Sequence, residues 1–113
     1  MALSRKRAAA LRAFHRDAAI AQAQLQAAMQ DVEATGAKAQ MAVAEAEVLL
    51  QKLDNLESRA GPDASFGSMR QDLNAQLESY RASECDARAR LARFAKMGEA
   101  LSATVASVAP PAD

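Results

Sequence analysis

Tryptophan is missing from this sequence, tyrosine occurs once, at Tyr80, and aromatics make up only 4 % of the chain. A packed globular centre draws heavily on such side chains, so their scarcity argues against a compact domain. Cysteine also occurs once, at Cys85. That excludes an internal disulfide framework and a cysteine-based metal site, and makes a reducing intracellular compartment, by default the cytoplasm, the expected location. No apolar run reaches the roughly 18 residues of a membrane-spanning helix, and the opening residues lack the apolar core of a secretory signal. The four glycines are scattered, so no phosphate-cradling loop is present. A net charge of zero gives no overall field that would favour nucleic acid or a membrane surface.

What is present is alanine and a long repeat. Taking every third then fourth residue from Leu11 gives Leu11, Phe14, Ala18, Ala21, Leu25, Ala28, Val32, Thr35, Ala39, Ala42, Ala46, Leu49, Leu53 and Leu56, with only Thr35 breaking the apolar rule. An alternation of 3 and 4 keeps one helix stripe facing one neighbour, which is a coiled-coil seam. At about 1.5 Å per residue the stripe would be roughly 70 Å long. Val32 and Ala39 stay in phase across Gly36, so one continuous helix is expected there, weakened at most at Thr35–Gly36.

Gly61 and Pro62 mark the end of this helix, since glycine takes the left-handed cap and proline cannot continue the turn. Ser68 followed by Gln71 has the capping-box spacing for a second helix. A second stripe then runs Leu73, Leu77, Tyr80, Glu84, Ala87, Leu91, Phe94, Gly98, Leu101, Val105 and Val108, before Pro110 and Pro111. Two long helices joined by a short loop fold back antiparallel. The fold class expected is therefore all-α, a long antiparallel two-helix coiled-coil hairpin. Its divisions are a basic helical overhang over 1–17, the first helix over 18–60, a loop over 61–67, the second helix over 68–108 and a disordered tail over 109–113. The register in which large residues lock both ends and Tyr80 faces Ala46 sets Leu53 beside Leu73, Leu49 beside Leu77, Ala39 beside Ala87 and Leu25 beside Leu101.

Such a seam is thin, because alanine has little apolar area to bury. Apolar residues expected off the seam, Ile20, Met41 and Val48 on one flank and Met29, Val43 and Leu50 on the other, suggest a larger bundle completed by self-association or by a protein partner. Leu11 and Phe14 extend beyond the paired region and join this partner-binding set. Charge is laid out unevenly: residues 1–16 carry Arg5, Lys6, Arg7, Arg12 and Arg16 and no acid, while residues 17–57 carry seven acids against Lys38 and Lys52. The basic end, with Arg5, Arg7, Arg12 and Arg16, reads as the first turns of the helix that could dock electrostatically on an acidic surface. It also has marks of a mitochondrial transit peptide, which would make the location mitochondrial.

Residues with chemistry are few and apart. His15 is the lone histidine and reads as an exposed helix residue; Cys85 lies between Glu84 and Asp86, whose charge disfavours a nucleophilic thiolate. Paired acids such as Glu45 and Glu47 are two apart and so do not share a helix face. No catalytic, cofactor or metal role is assigned, and a two-helix rod offers no water-excluding pocket for an enzyme. Glu84 occupies a seam position, where a polar residue either reaches out past a small neighbour or fixes register against a basic group. Arg88, Arg90, Arg93 and Lys96 spread around their helix without stacking aromatics, so nucleic acid is disfavoured as a partner.

The expected function is a non-enzymatic scaffold or interaction subunit of a larger assembly. The alternative is a basic-arm binder of an acidic surface, whether nucleic acid, anionic lipid or acidic protein, through residues 3–16. In its hairpin layout the chain also resembles the stalk proteins of flagellar and type III export ATPases and some export chaperones. That resemblance is one of shape and rests on no motif; it implies an export-apparatus stalk or chaperone-like role.

Overall fold

The computed structural model describes residues 2–108 and residue 110. The tail expected over 109–113 lies outside the described residues except for Pro110. Two helices form the chain: α1, Ala2–Ala60, and α2, Ala64–Ser107. Nearly every residue of α1 is a good helix former, and Gly36 does not interrupt it. The basic segment is helical from Ala2, continuous with the rest of α1. No strand occurs among the described residues. The chain is an all-α helical hairpin.

Three residues turn the chain. Gly61 has a φ of 85° and its N–H donates to the Glu57 carbonyl at 2.8 Å, the single-bond left-handed cap that ends α1. The loop is shorter than the sequence suggests, because α2 starts four residues before Ser68. Asp63 caps it instead. The Asp63 carboxylate accepts from the Ser65 N–H at 2.8 Å and from the Ser65 hydroxyl, satisfying one of the free donors of the first turn.

By its contacts the chain divides into two units. Val32–Ala89 holds the loop and the adjoining halves of both helices; the described residues of Met1–Asp31 and Arg90–Asp113 form the other. In the loop unit, the α2 residues with reduced exposure are Phe66, Arg70, Leu73, Leu77, Tyr80, Glu84 and Ala87, the second of the two expected stripes. On α1 the protected residues recur at Val32, Gly36, Ala39, Val43, Ala46, Leu50, Leu53 and Glu57. The alternate members of the expected α1 stripe are therefore mostly displaced by one residue, while Ala28 and Ala42 stay half-buried beside Met29 and Val43. Thr35, Leu49 and Leu56 are exposed, and Gly36, Leu50 and Glu57 take their places. In the other unit, Leu11, His15, Ala18, Gln22, Leu25 and Met29 are protected in the same rhythm, opposite a stripe from Leu91 to Val108. His15 is half-buried there, not exposed as its surroundings in the sequence suggested.

Close approaches fix the pairing within each unit. A Cβ built at Gly36 would lie 3.2 Å from the Ala87 Cβ, and one at Gly98 would lie 3.4 Å from Leu25 Cδ2. The expected register gave Ala87 to Ala39 and Leu25 to Leu101, so the true register is shifted by three residues in both units. The cause is size. Opposed large residues were assumed to set the register, whereas the smallest residue of α1, Gly36, lets the backbones come closest.

The core is thin. The buried apolar residues are Ala18, Ala39, Ala46, Leu77 and Ala87, and none of the described side chains is fully sequestered. No described buried side-chain donor or acceptor lacks a hydrogen-bond partner.

Candidate functional site

The shift in the α1 stripe changes which residues are free to meet a partner. Met29, Val43 and Leu50, expected off the seam, are half-buried members of it. Met29 lies with Leu25, Gln26 and Gly98 around a small cleft in the terminal unit. Their apolar side chains serve the hairpin itself. Leu49 and Leu56, expected in the seam, are instead 48 % and 52 % exposed, and Phe14 is also exposed.

In the loop unit the outer face of α1 now gains definition. Met41 is 66 % exposed and Val48 51 %, as anticipated for the outer flank. The spacings Met41, Glu45, Val48, Lys52 and Leu56 are four, three, four and four, so all five side chains share one face of the helix. Ala44, Glu45, Val48, Leu49 and Lys52 line a shallow apolar depression. A second groove opens between α1 and α2 where Leu49, Lys52, Leu53 and Leu56 meet Met69, Asp72 and Leu73. The residues that sequence reasoning missed are thus Leu49, Leu56 and Met69. The signal for the first two was Thr35, the single polar break in the assumed stripe.

Several charges inside this unit are answered within the chain. Arg70 donates to Asp54 at 2.8 Å and to Glu57, and these bonds, Glu57 first, raise its pKa above the ordinary arginine value. Arg81 pairs with Glu47 at 3.0 Å, an exposed pair of small energetic weight. Glu84, at its seam position, accepts from Arg88 one turn along the same helix at 2.7 Å; the acid N-terminal to the base is the favourable orientation. The seam carboxylate is therefore answered within α2. Glu45 and Lys52 differ from these. Both are exposed, and neither forms an ion pair among the described residues.

The other candidate surface is the basic end of α1. Arg5, Lys6, Arg7, Arg12 and Arg16 are exposed, and Arg5, Arg12 and Arg16, spaced seven and four apart, share a face. The first turn of α1 carries no acid, and Arg5 there stands at the positive end of the helix dipole, whereas Arg12 and Arg16 lie beyond its reach. Ile20 is exposed and Leu11 half-buried in the same region. The His15 ring meets the Phe14 ring edge-on, with centroids 5.3 Å apart and an interplanar angle of 84°. Cys85 is exposed on α2. No group of three or more His, Cys, Asp or Glu side chains converges as a metal site among the described residues. No helix among them is long and apolar enough to cross a membrane.

Fold and surfaces together define an alanine-rich helical hairpin whose first helix carries an outer apolar face. No protein-family model, curated protein or solved structure matches this chain.

Proposed function

We propose that this protein is a non-enzymatic interaction subunit, a hairpin that docks on partner helices of a larger assembly through the outer face of α1. The observation that carries the reading is the contrast between a thin alanine core and a row of exposed Met41, Val48, Leu49 and Leu56 on one side of the same helix. A helix that needed only its hairpin mate would have polar residues there. Burying those side chains supplies the apolar area that the intrachain seam lacks. The exposed lone Cys85 fits a reducing intracellular setting.

The test is the mass of the assembly that contains the chain, measured for the parent and for a Met41→Gln/Val48→Gln/Leu49→Gln variant. Glutamine keeps helix propensity, so circular dichroism of the variant should match the parent. The expected result is loss of the assembly, whether with itself or with another protein. A variant that assembles like the parent would reduce these side chains to ordinary surface.

A second reading rests on the exposed cations of the first turns. Arg5, Arg12 and Arg16 on one face, with Arg5 at an unfavourable helix end, would gain from an acidic surface. Binding of that kind weakens steeply between low and moderate salt, whereas apolar docking does not. The likeness to export-ATPase stalk proteins is a third reading, supported by the hairpin layout alone.

A further inference from the structure

We propose that the partner of the α1 outer face is a second copy of this chain, packed antiparallel on α1 about a two-fold axis that passes between Val48 and Leu49. This rests on the docking reading given above and names its occupant. The argument is one of charge complementarity. Glu45 and Lys52 are exposed, are without an ion pair among the described residues, and stand at equal distances on either side of the Val48–Leu49 centre. An antiparallel two-fold brings Glu45 against Lys52 of the second copy and Lys52 against its Glu45. The same operation sets Val48 against Leu49 and Met41 against Leu56, apolar on apolar. The like-charged Lys38 and Arg59 oppose each other only at the outer ends of the contact, where long exposed side chains can turn away into solvent.

The central part of the face, from Met41 to Leu56, is therefore its own complement, as a two-fold contact requires. A parallel pairing of the same face would set Glu45 against Glu45 and Lys52 against Lys52, which electrostatics opposes. An unrelated partner would not need two opposite charges placed symmetrically about an apolar pair. The groove between Leu56 and Met69 gives the incoming Met41 a place to lie, and methionine, unbranched and flexible, fills such irregular space well.

Sedimentation equilibrium of the full chain, with reductant to keep Cys85 as a thiol, tests this from micromolar to near-millimolar concentration. The parent should dimerise reversibly. Lys52→Glu and Glu45→Lys should each weaken the dimer by roughly tenfold or more, because two contacts per dimer turn repulsive. Mixing the two single variants should restore association as a heterodimer, since every contact is then again between opposite charges. The doubly exchanged Glu45→Lys/Lys52→Glu chain should dimerise like the parent. A dimer indifferent to both reversals, or one that the mixture does not rescue, overturns the two-fold arrangement. A parent that stays monomeric throughout overturns self-association. If it then joins another protein through Met41, Val48 and Leu49, the docking reading stands without it. A dimer that survives the triple glutamine change removes both.

Discussion

Asp63 shows how much one side chain decides at the turn. Its carboxyl is held below the usual carboxylate range by the Ser65 hydroxyl first and by the Ser65 N–H second. A folded pKa below the unfolded one means the cap contributes stability above the unfolded value and loses it as pH falls through the folded value. Asp63→Ala should therefore melt a few degrees below the parent near neutrality, with the gap closing as the pH falls through the lowered folded value. Asp63→Asn should keep the cap, since its amide oxygen also accepts, but remove that pH dependence. Thermal melts of the three chains across pH check this. An alanine deficit that persists unchanged in acid would show that the charge on Asp63 contributes nothing to the cap. The Ser68–Gln71 pattern was a reasonable capping signal, but Asp63 lies directly after the glycine–proline stop, where a helix start needs least chain.

At the scale of the helices, α2 was legible and α1 only half so. Leu73, Leu77, Leu91, Phe94 and Leu101 are large and unambiguous, and all lie on the protected face. In α1 the positions seven apart, such as Leu25, Val32 and Ala39, belong to either choice of stripe. The intervening positions decided it, and there size misled. Phe14, Leu49 and Leu56 are more apolar than His15, Gly36 and Glu57, yet the second set is the protected one. Glu57 can occupy the seam because Arg70 answers it, and Gly36 because Ala87 comes so near that a Cβ there would make a tight 3.2 Å contact.

That register can be locked chemically. Gly36→Cys with Ala87→Cys, in a Cys85→Ser background, brings two Cβ atoms close to disulfide separation and should crosslink within one chain on oxidation. Ala39→Cys with Ala87→Cys, which the sequence-based register favoured, should close poorly. Non-reducing electrophoresis separates the two, and the opposite result would restore the original register.

For the molecule as a whole, the proposed docking face was only half legible: Met41 and Val48 stood out as off the seam, whereas Leu49 and Leu56 looked like part of it. Its outline came only once exposure separated Leu49 and Leu56 from Leu50 and Leu53. The basic end was plain in the sequence, and α1 runs through it from Ala2 without a break, as its reading as the first turns of the helix implied. Ala18 is the first buried member of the seam. Deleting residues 2–14 should consequently lower the melting temperature little, while any binding that depends on Arg5, Arg7 and Arg12 should be lost. Calorimetry of the truncated chain measures the first. A large drop in its melting temperature would mean that Leu11 and its neighbours carry more of the fold than their half-exposure indicates.

The turn at Gly61–Asp63 lies near the middle of the chain, and this has a consequence for synthesis. Gly98, the neighbour of Leu25, is translated 73 residues after it. At elongation rates of about 5–20 residues per second, the interval is roughly 4–15 s. Throughout that time the leucine and alanine stripe of α1 has emerged or is emerging without its mate, and helices without tertiary support are marginal in water. Neighbouring ribosomes on one message would hold several such half-finished chains close together. On the two-fold arrangement proposed above, nascent α1 segments can meet there before either has folded back, so the order of synthesis would itself favour pairing between copies made side by side.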